Sequence, residues 1–229
     1  SAFPAGHPLY AGMLGMHGNY GTNLLTNQAD VILSVGMRFD DRVTGRLSDY
    51  AKQAKIIHID IDPAELNKNV RAEVPIVSDA KKALQALIPY VNKNNHASWV
   101  QEFRKCDVME YEKVVQREVF PKEGQITMAE VIHMVSEKTK GEAVIVADVG
   151  QHQMIAARYY KFQKPDSFIT SGGLGTMGFA LPAAMGAKVA TSNVAGAASK
   201  REVIAIIGDG SFQMNIQELA TLAQDGIPV

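Results

Sequence analysis

The sequence predicts an α/β protein of two doubly wound parallel-sheet domains, and three observations predict it. Short apolar runs alternate with stretches of helical periodicity, the pattern of parallel βα units. Several of those runs stop at glycine, notably Gly36, Gly150 and Gly208, and glycine allows a backbone to approach a ligand closely. Between residues 92 and 124 the texture turns polar and charged, separating an earlier series from a later one. At roughly 150 residues per domain the chain amounts to about one and a half domains.

In the first series, Val31-Ile-Leu-Ser-Val-Gly36 reads as a strand, followed by a charged loop and a helical stretch near Arg46 to Gln53. Lys55-Ile-Ile-His-Ile-Asp60 is a second strand, and Asp62-Pro63 opens a short helix as N-cap and first turn. A third strand lies around Pro75-Ile-Val77. Asp79 then caps an amphipathic helix over Ala80 to Val91, with Ala83, Leu84, Leu87 and Ile88 on one face. Asn92-Lys-Asn-Asn-His96 is turn-like, and Ala97 to Glu118 reads as a linker helix ended by Phe120-Pro-Lys-Glu-Gly124. The second series runs helix Thr127–Lys138, strand Ala143–Ala147, helix from Gly150, strand Ser167–Thr170, a Gly-rich turn and helix Gly178–Ala190. It closes with strand Glu202–Ile207, the loop Gly208-Asp209-Gly210 and one helix to about Gln224. The expected domains are therefore 1–91 and 125–229, joined by a linker over 92–124.

Composition narrows the function classes. With 46% hydrophobic and 21% charged residues the chain can bury a proper core. A net charge of −1 argues against a nucleic-acid or anionic-membrane surface. The single cysteine, Cys106, leaves no disulfide scaffold and no Cys-rich metal site, and fits a reducing compartment. No apolar run approaches the ~18 residues of a membrane span, and the first residues lack a signal pattern. A cytoplasmic location is expected.

The sharpest motif is Val203-Ile-Ala-Ile-Ile-Gly208-Asp209-Gly210-Ser211, a β-rich run passing through Gly-Asp-Gly into a helix. Open α/β sheets bind ligands at the carboxyl ends of strands, where the next helix presents free N–H groups. Asp209 there suits a divalent cation bridging phosphate oxygens; it equally suits an N-cap in a tight turn. A second motif, Ser171-Gly-Gly173-Leu-Gly175-Thr-Met177-Gly178, contains G-x-G-x-x-G. The acidic residue that a dinucleotide fingerprint wants some 20 positions on is missing, so nicotinamide binding and simple close packing stay open. In Asp148-Val-Gly150-Gln151-His152-Gln153, polar side chains gather at a strand end; His152 is a loop residue or a base. In the first series, Gly36 to Gly45 (GMRFDDRVTG) sets arginines beside carboxylates, either a solvated ion-pair loop or a diphosphate site, and Asp60 suits ribose hydroxyls.

Taken together, Gly12-Met-Leu-Gly-Met-His-Gly18, GMRFDDRVTG, Gly150-Gln-His-Gln-Met154, Thr170 to Gly178 (TSGGLGTMG) and Gly208-Asp-Gly210 resemble the large catalytic subunit of acetohydroxyacid (acetolactate) synthase of the bacterial type. The resemblance runs from near residue 9 to the end and is weakest around 92–120. It implies two thiamine-diphosphate-enzyme domains, a middle FAD-contacting one and a C-terminal cofactor one. It further implies thiamine-diphosphate-dependent decarboxylation of pyruvate and its carboligation to pyruvate or 2-oxobutyrate. By this resemblance Asp209 is a Mg²⁺ ligand. Gly150, Gln151, His152, Gly208, Gly210 and Ser211 lie at the diphosphate of thiamine diphosphate, and Gly175 and Met177 at its aminopyrimidine. A structural FAD takes Gly15, Met16, His17, Gly36, Met37, Arg38, Asp40, Arg42, Val43, Asp60, Ile61, Asn67, Asp79 and Ala80. A homodimer or homotetramer with a small regulatory subunit is implied as well.

The family's activating glutamate lies in a domain these residues do not include, so no catalytic residue is assigned. The thiamine motif closes with an Asn pair roughly 25 residues after Gly-Asp-Gly, the first Asn giving a second Mg²⁺ ligand. Only 19 residues follow Gly210, without such a pair. The expectation is an internal portion of a longer enzyme, with both domains incomplete, inactive by itself.

Overall fold

The computed structural model describes residues 2–193 and 201–229. The chain divides into two compact units, Ala11–Glu110 and Ser1–Tyr10 with Tyr111–Val229.

In the first unit, strands β1 (Val31–Val35), β2 (Lys55–Asp60) and β3 (Val74–Val77) form a parallel sheet in the order β1-β2-β3. The register sets Ser34 beside His58 and Asp60 beside Val77. The unit also holds helices α1 (Tyr20–Thr26), α2 (Asp41–Thr44), α3 (Ala80–Leu87), which packs on β2, and α4 (Ala97–Glu110). Phe39, Tyr50, Ala51, Ile56 and Ala72 make the core. α4 packs along α1, where Gly21 lets the helices meet closely: a Cβ there would stand 2.7 Å from Cys106 Cβ. That packing carries the 97–110 stretch of the expected linker into this unit.

Four expectations are corrected here. No helix runs over Arg46–Gln53. Asp40 accepts from Arg42 N–H to cap α2, Gly45 (φ +60°) ends it, and a single 3₁₀ turn Leu47–Asp49 follows. Asp62-Pro63 opens turns instead of a helix, because Asn67 takes a left-handed φ of +60° that breaks the path. α3 stops at Leu87 and tightens into a 3₁₀ turn, Ile88–Tyr90, since Pro89 has no N–H to continue it. The long helix ends at Glu110; a π turn, Tyr111–Val115, and helix α5 (Gln116–Val119) follow.

In the second unit, β4 (Val144–Ala147), β5 (Phe168–Thr170) and β6 (Val203–Ile206) form a parallel sheet in the order β5-β4-β6. Every residue of β4 is buried, as befits a central strand covered on both faces. Ile145 faces helices α6 (Met128–Lys138) and α7 (Gln151–Tyr159), packing with Ile132, Ala156 and Tyr160. Val144 and Val146 face α8 (Ala180–Asn193) through Ala180 and Ala184. Helices on both faces make this unit doubly wound, as expected. Thr127 caps α6 by accepting from Glu130 N–H at 3.1 Å, the Thr-x-x-Glu signature. Ser1–Tyr10 belongs to this unit, held by the Ala5 N–H to Phe162 carbonyl bond. The single helix expected after Gly210 is two, α9 (Asp209–Met214) and α10 (Glu218–Asp225), interrupted at Asn215.

Candidate functional site

The second unit gathers three loops at the carboxyl ends of its strands. Gly150 leaves β4 with φ +150° and caps α7, putting His152 in the helix's first turn. The imidazole stands against two glycines: a Cβ at Gly150 would come within 3.0 Å of its Cε1, and one at Gly208 within 3.2 Å. Its Nε2 is buried without a hydrogen-bond partner among the described residues. Gln151 is exposed. His152 also borders an apolar cleft of about 200 Å³ walled by Met128, Val131, Ile155 and Ile206.

Gly208 ends β6 as the N-cap of α9, Asp209 and Gly210 are exposed in its first turn, and Ser211 is buried. Across from them, a Cβ at Gly210 would lie 3.5 Å from Met177 Cε, and one at Gly175 would lie 3.8 Å from Val149 Cγ1. The Gly172–Gly175 turn is closed by Gly175 N–H to the Ser171 carbonyl and by Ser171 Oγ to Thr176. Met177 is half-exposed. Gly150, His152, Gly175, Met177, Gly208 and Gly210 are thus brought together, with Asp209 on their open side.

Two supports of this arrangement escaped the sequence reading. Asp148, completely buried, caps α8 by accepting from Ala180 N–H. Asn215 Nδ2 donates to the Gly178 carbonyl and holds the glycine turn, which is why the helix breaks there. The available signal for Asp148 was a charge carried straight on from a fully apolar run; for Asn215 there was none. Among the described residues no three His, Cys, Asp or Glu side chains converge into a metal cage.

The first unit assembles a second edge site. Gly15 (φ +93°) lies against Arg42 and Val43: Met16 N–H donates to the Arg42 carbonyl at 2.8 Å, and a Cβ on Gly15 would sit 2.7 Å from that oxygen. Asn23 clamps Gly15 on both sides, accepting from its N–H and donating to its carbonyl. His17 is partly buried, and desolvation holds its imidazole below the ordinary pKa. Gly36 extends the β1–β2 pairing by donating to the Ile59 carbonyl, and Met37 packs on the core. Arg38 pairs with Asp40 at 2.9 Å, and Arg42 with Asp41, all on the exposed loop. Phe39, between them, is buried at φ +50°. Asp60 ends β2 buried, with Oδ1 accepting from Asp62 N–H, and Ile61 is exposed. Asp79 caps α3, with Ala80 as its first residue. Asn67 stands apart in role: its Oδ1 accepts from Ala72 N–H and fixes the turn.

Two family models and several known proteins match the chain. The thiamine pyrophosphate enzyme central-domain family model matches residues 1–87. The model for the C-terminal thiamine-pyrophosphate-binding domain of those enzymes matches residues 148–229. The chain is 46% identical over 233 residues to an acetolactate synthase large subunit of Buchnera aphidicola subsp. Schlechtendalia chinensis, covering all of this chain and 39% of that protein. It is 42% identical over 238 residues to the acetolactate synthase isozyme 3 large subunit of Escherichia coli K12, again covering all of this chain and 39% of the relative. A probable acetolactate synthase large subunit of Methanocaldococcus jannaschii is 44% identical over 236 residues, covering 99% of this chain and 38% of its own length. The chain therefore spans about two fifths of the length of these relatives.

Proposed function

The chain belongs to the thiamine pyrophosphate enzymes, and from that premise we propose that it is part of an acetolactate synthase catalytic subunit. The reaction is decarboxylation of pyruvate and carboligation to a second pyruvate or to 2-oxobutyrate, the entry to branched-chain amino-acid synthesis. The observation that carries this reading is the convergence of the Gly150, Gly175–Met177 and Gly208–Gly210 loops around His152.

These residues fit thiamine diphosphate. Glycines at 150 and 208 leave room only for backbone beside the imidazole, and the orphaned His152 Nε2 offers one polar atom to a phosphate oxygen. Backbone N–H groups of Gly210 and Ser211 would take further phosphate oxygens. Asp209 belongs to no cluster of three His, Cys, Asp or Glu side chains among the described residues, and fits Mg²⁺ that draws its remaining ligands from phosphate, water and other parts of the enzyme. Met177, half-exposed beside Gly210, would support the folded cofactor. When bound, thiamine diphosphate supplies the electron sink for cleaving and forming the carbon–carbon bond. The residues here bind, orient and exclude water; none is assigned as acid or base.

In the first unit we assign the edge site to a structural FAD. Gly15–His17, Arg38 and Arg42 would lie at its diphosphate, Asp60 at its ribose, and Asp79–Ala80 at the helix N-terminus. The unit Ala11–Glu110 would be the flavin-contacting part and the unit that includes Tyr111–Val229 the thiamine-binding part. The relatives' designation as large subunits supports a small regulatory partner, and a cytoplasmic homodimer or homotetramer is our reading of the whole enzyme. Among the described residues no helix is long and apolar enough to cross a membrane.

The test is product analysis with the full-length protein. Pyruvate with thiamine diphosphate and Mg²⁺ should give acetolactate, and added 2-oxobutyrate the mixed acetohydroxy acid. Product from glyoxylate alone, or oxidation of pyruvate without carboligation, would move the assignment to glyoxylate carboligase or pyruvate oxidase. Protection from unfolding by NAD(H) but not by thiamine diphosphate would instead favour a dehydrogenase using Gly173–Gly178.

A further inference from the structure

The middle of the first unit's sheet contains a buried polar line that the two edge sites leave unexplained. His58, on the central strand β2, is completely buried, and neither ring nitrogen has a hydrogen-bond partner among the described residues. Its register neighbour on β1 is Ser34, 3% exposed, whose hydroxyl is likewise unpartnered. Two residues along β2, and so on the same face of the sheet, is Asp60. Its Oδ2 stands 3.9 Å from His58 Nε2, too far for a hydrogen bond, while its Oδ1 accepts from Asp62 N–H at 2.9 Å. Phe39 closes the chamber from the Arg38–Arg42 loop, its ring edge-on to the imidazole at 5.1 Å and 90°.

Unpaired polar groups in a core are costly, and native cores keep few of them. An apolar side chain at position 58 would pack on Phe39 without that cost, so the imidazole needs a reason tied to its one charged neighbour. The composition Ser–His–Asp invites comparison with a nucleophilic triad. The order is wrong for that: Ser34 is the sealed end, and Asp60 is the end that reaches the carboxyl edge of the strand. The chain of groups therefore supports the carboxylate, not the hydroxyl.

We propose that His58 is a positioning residue for Asp60: on binding, Nε2–H closes the 3.9 Å gap to Oδ2, so that the carboxylate presents its remaining lone pairs to the vicinal hydroxyls of an adenosine ribose. Ser34, the register neighbour with an equally unpartnered hydroxyl, would then donate Oγ–H to Nδ1 and fix that tautomer. With Oδ1 already held by the Asp62 N–H and Oδ2 then taken by the imidazole, the carboxylate cannot rotate away from a diol. This inference rests on the flavin reading of the edge site.

The test titrates full-length protein, stripped of flavin, with FAD and separately with FMN, which lacks the adenosine. Loss of a hydrogen bond to a ligand-binding carboxylate is worth about tenfold. His58→Leu is expected to weaken FAD about tenfold and to leave FMN unchanged, whereas His58→Gln, which keeps a donor, stays within about threefold. Ser34→Ala, which removes only a hydroxyl and preserves the core if His58→Leu does not fold, gives the same pattern at smaller size. On top of Asp60→Ala, His58→Leu should cost nothing further. The proposal is overturned if FAD and FMN weaken equally, if FAD affinity does not change, or if the two substitutions add. Asp60→Ala that leaves FAD affinity intact overturns the flavin reading itself, a result distinguishable because it needs no change at His58.

Discussion

Asp148 and Ala180 lie 32 residues apart in sequence, yet the Asp148 carboxylate accepts a 2.8 Å hydrogen bond from the Ala180 backbone N–H in the interior of the second unit. A carboxylate at the end of the central strand thereby satisfies one of the open donors of α8 and meets the positive end of its dipole. The helix start is fixed at Ala180, two residues after Gly178, so the placement of Met177 depends on this bond. Asp148→Ala should cost about 1–3 kcal/mol, the penalty of orphaning a buried donor. Asp148→Asn keeps an acceptor and, because Oδ2 has no partner, should cost clearly less. Urea midpoints of the two variants check this; equal losses would show that charge, and not the cap, is what matters.

The two glycines flanking His152 should differ in their response to alanine. Gly208 has an ordinary φ of −75°, so its new methyl meets only the imidazole at 3.2 Å. Gly208→Ala is expected to leave stability nearly unchanged and to weaken thiamine diphosphate binding by displacing the ring. Gly150→Ala adds backbone strain at φ +150° to a 3.0 Å contact and should cost about 1–3 kcal/mol as well. Thermal unfolding together with a cofactor titration at fixed Mg²⁺ separates the two effects.

At the glycine turn, Asn215→Ala removes the donor to the Gly178 carbonyl and should cost about 1 kcal/mol while raising amide exchange over Gly175–Gly178. Gly178→Ala places a methyl 2.6 Å from Asn215 Nδ2 at a φ of +76°. Its penalty should be larger, and only partly relieved when Asn215→Ala is combined with it, because the backbone strain remains. Full rescue in the double variant would assign the whole penalty to the clash.

His17 gives the first unit a pH dependence of known sign. Burial lowers its pKa below the ordinary 6.5, so the unfolded chain binds more protons than the folded one in the window running down from that value. Stability contributed by the neutral imidazole is full above pH 6.5 and is lost as pH falls through the folded pKa. His17→Gln should narrow the difference between urea midpoints measured at about pH 7.5 and about pH 5. An unchanged difference would remove His17 as a contributor.

The sequence by itself determined the kinds and order of the elements and the edge at which ligands meet the fold. Apolar alternation is a local property, so Val144–Ala147 and Val203–Ile206 announce buried strands without reference to anything else, and glycines after them mark where the backbone turns. It also carried the family resemblance, because GQHQM, TSGGLGTMG and GDG are contiguous strings. Helix ends were less legible where one residue decides: Asn67 in a left-handed conformation, or Asn215 bonding to a carbonyl 37 residues away. Only the tertiary structure decided that His152 stands between Gly150 and Gly208, that Asp148 caps a helix on the far side of its strand, and that His58 is sealed beside Ser34 and Asp60. Those relationships follow from which strands lie side by side. Strand order is fixed by burying both faces of the sheet at once, a property of the whole unit that no local window of sequence contains.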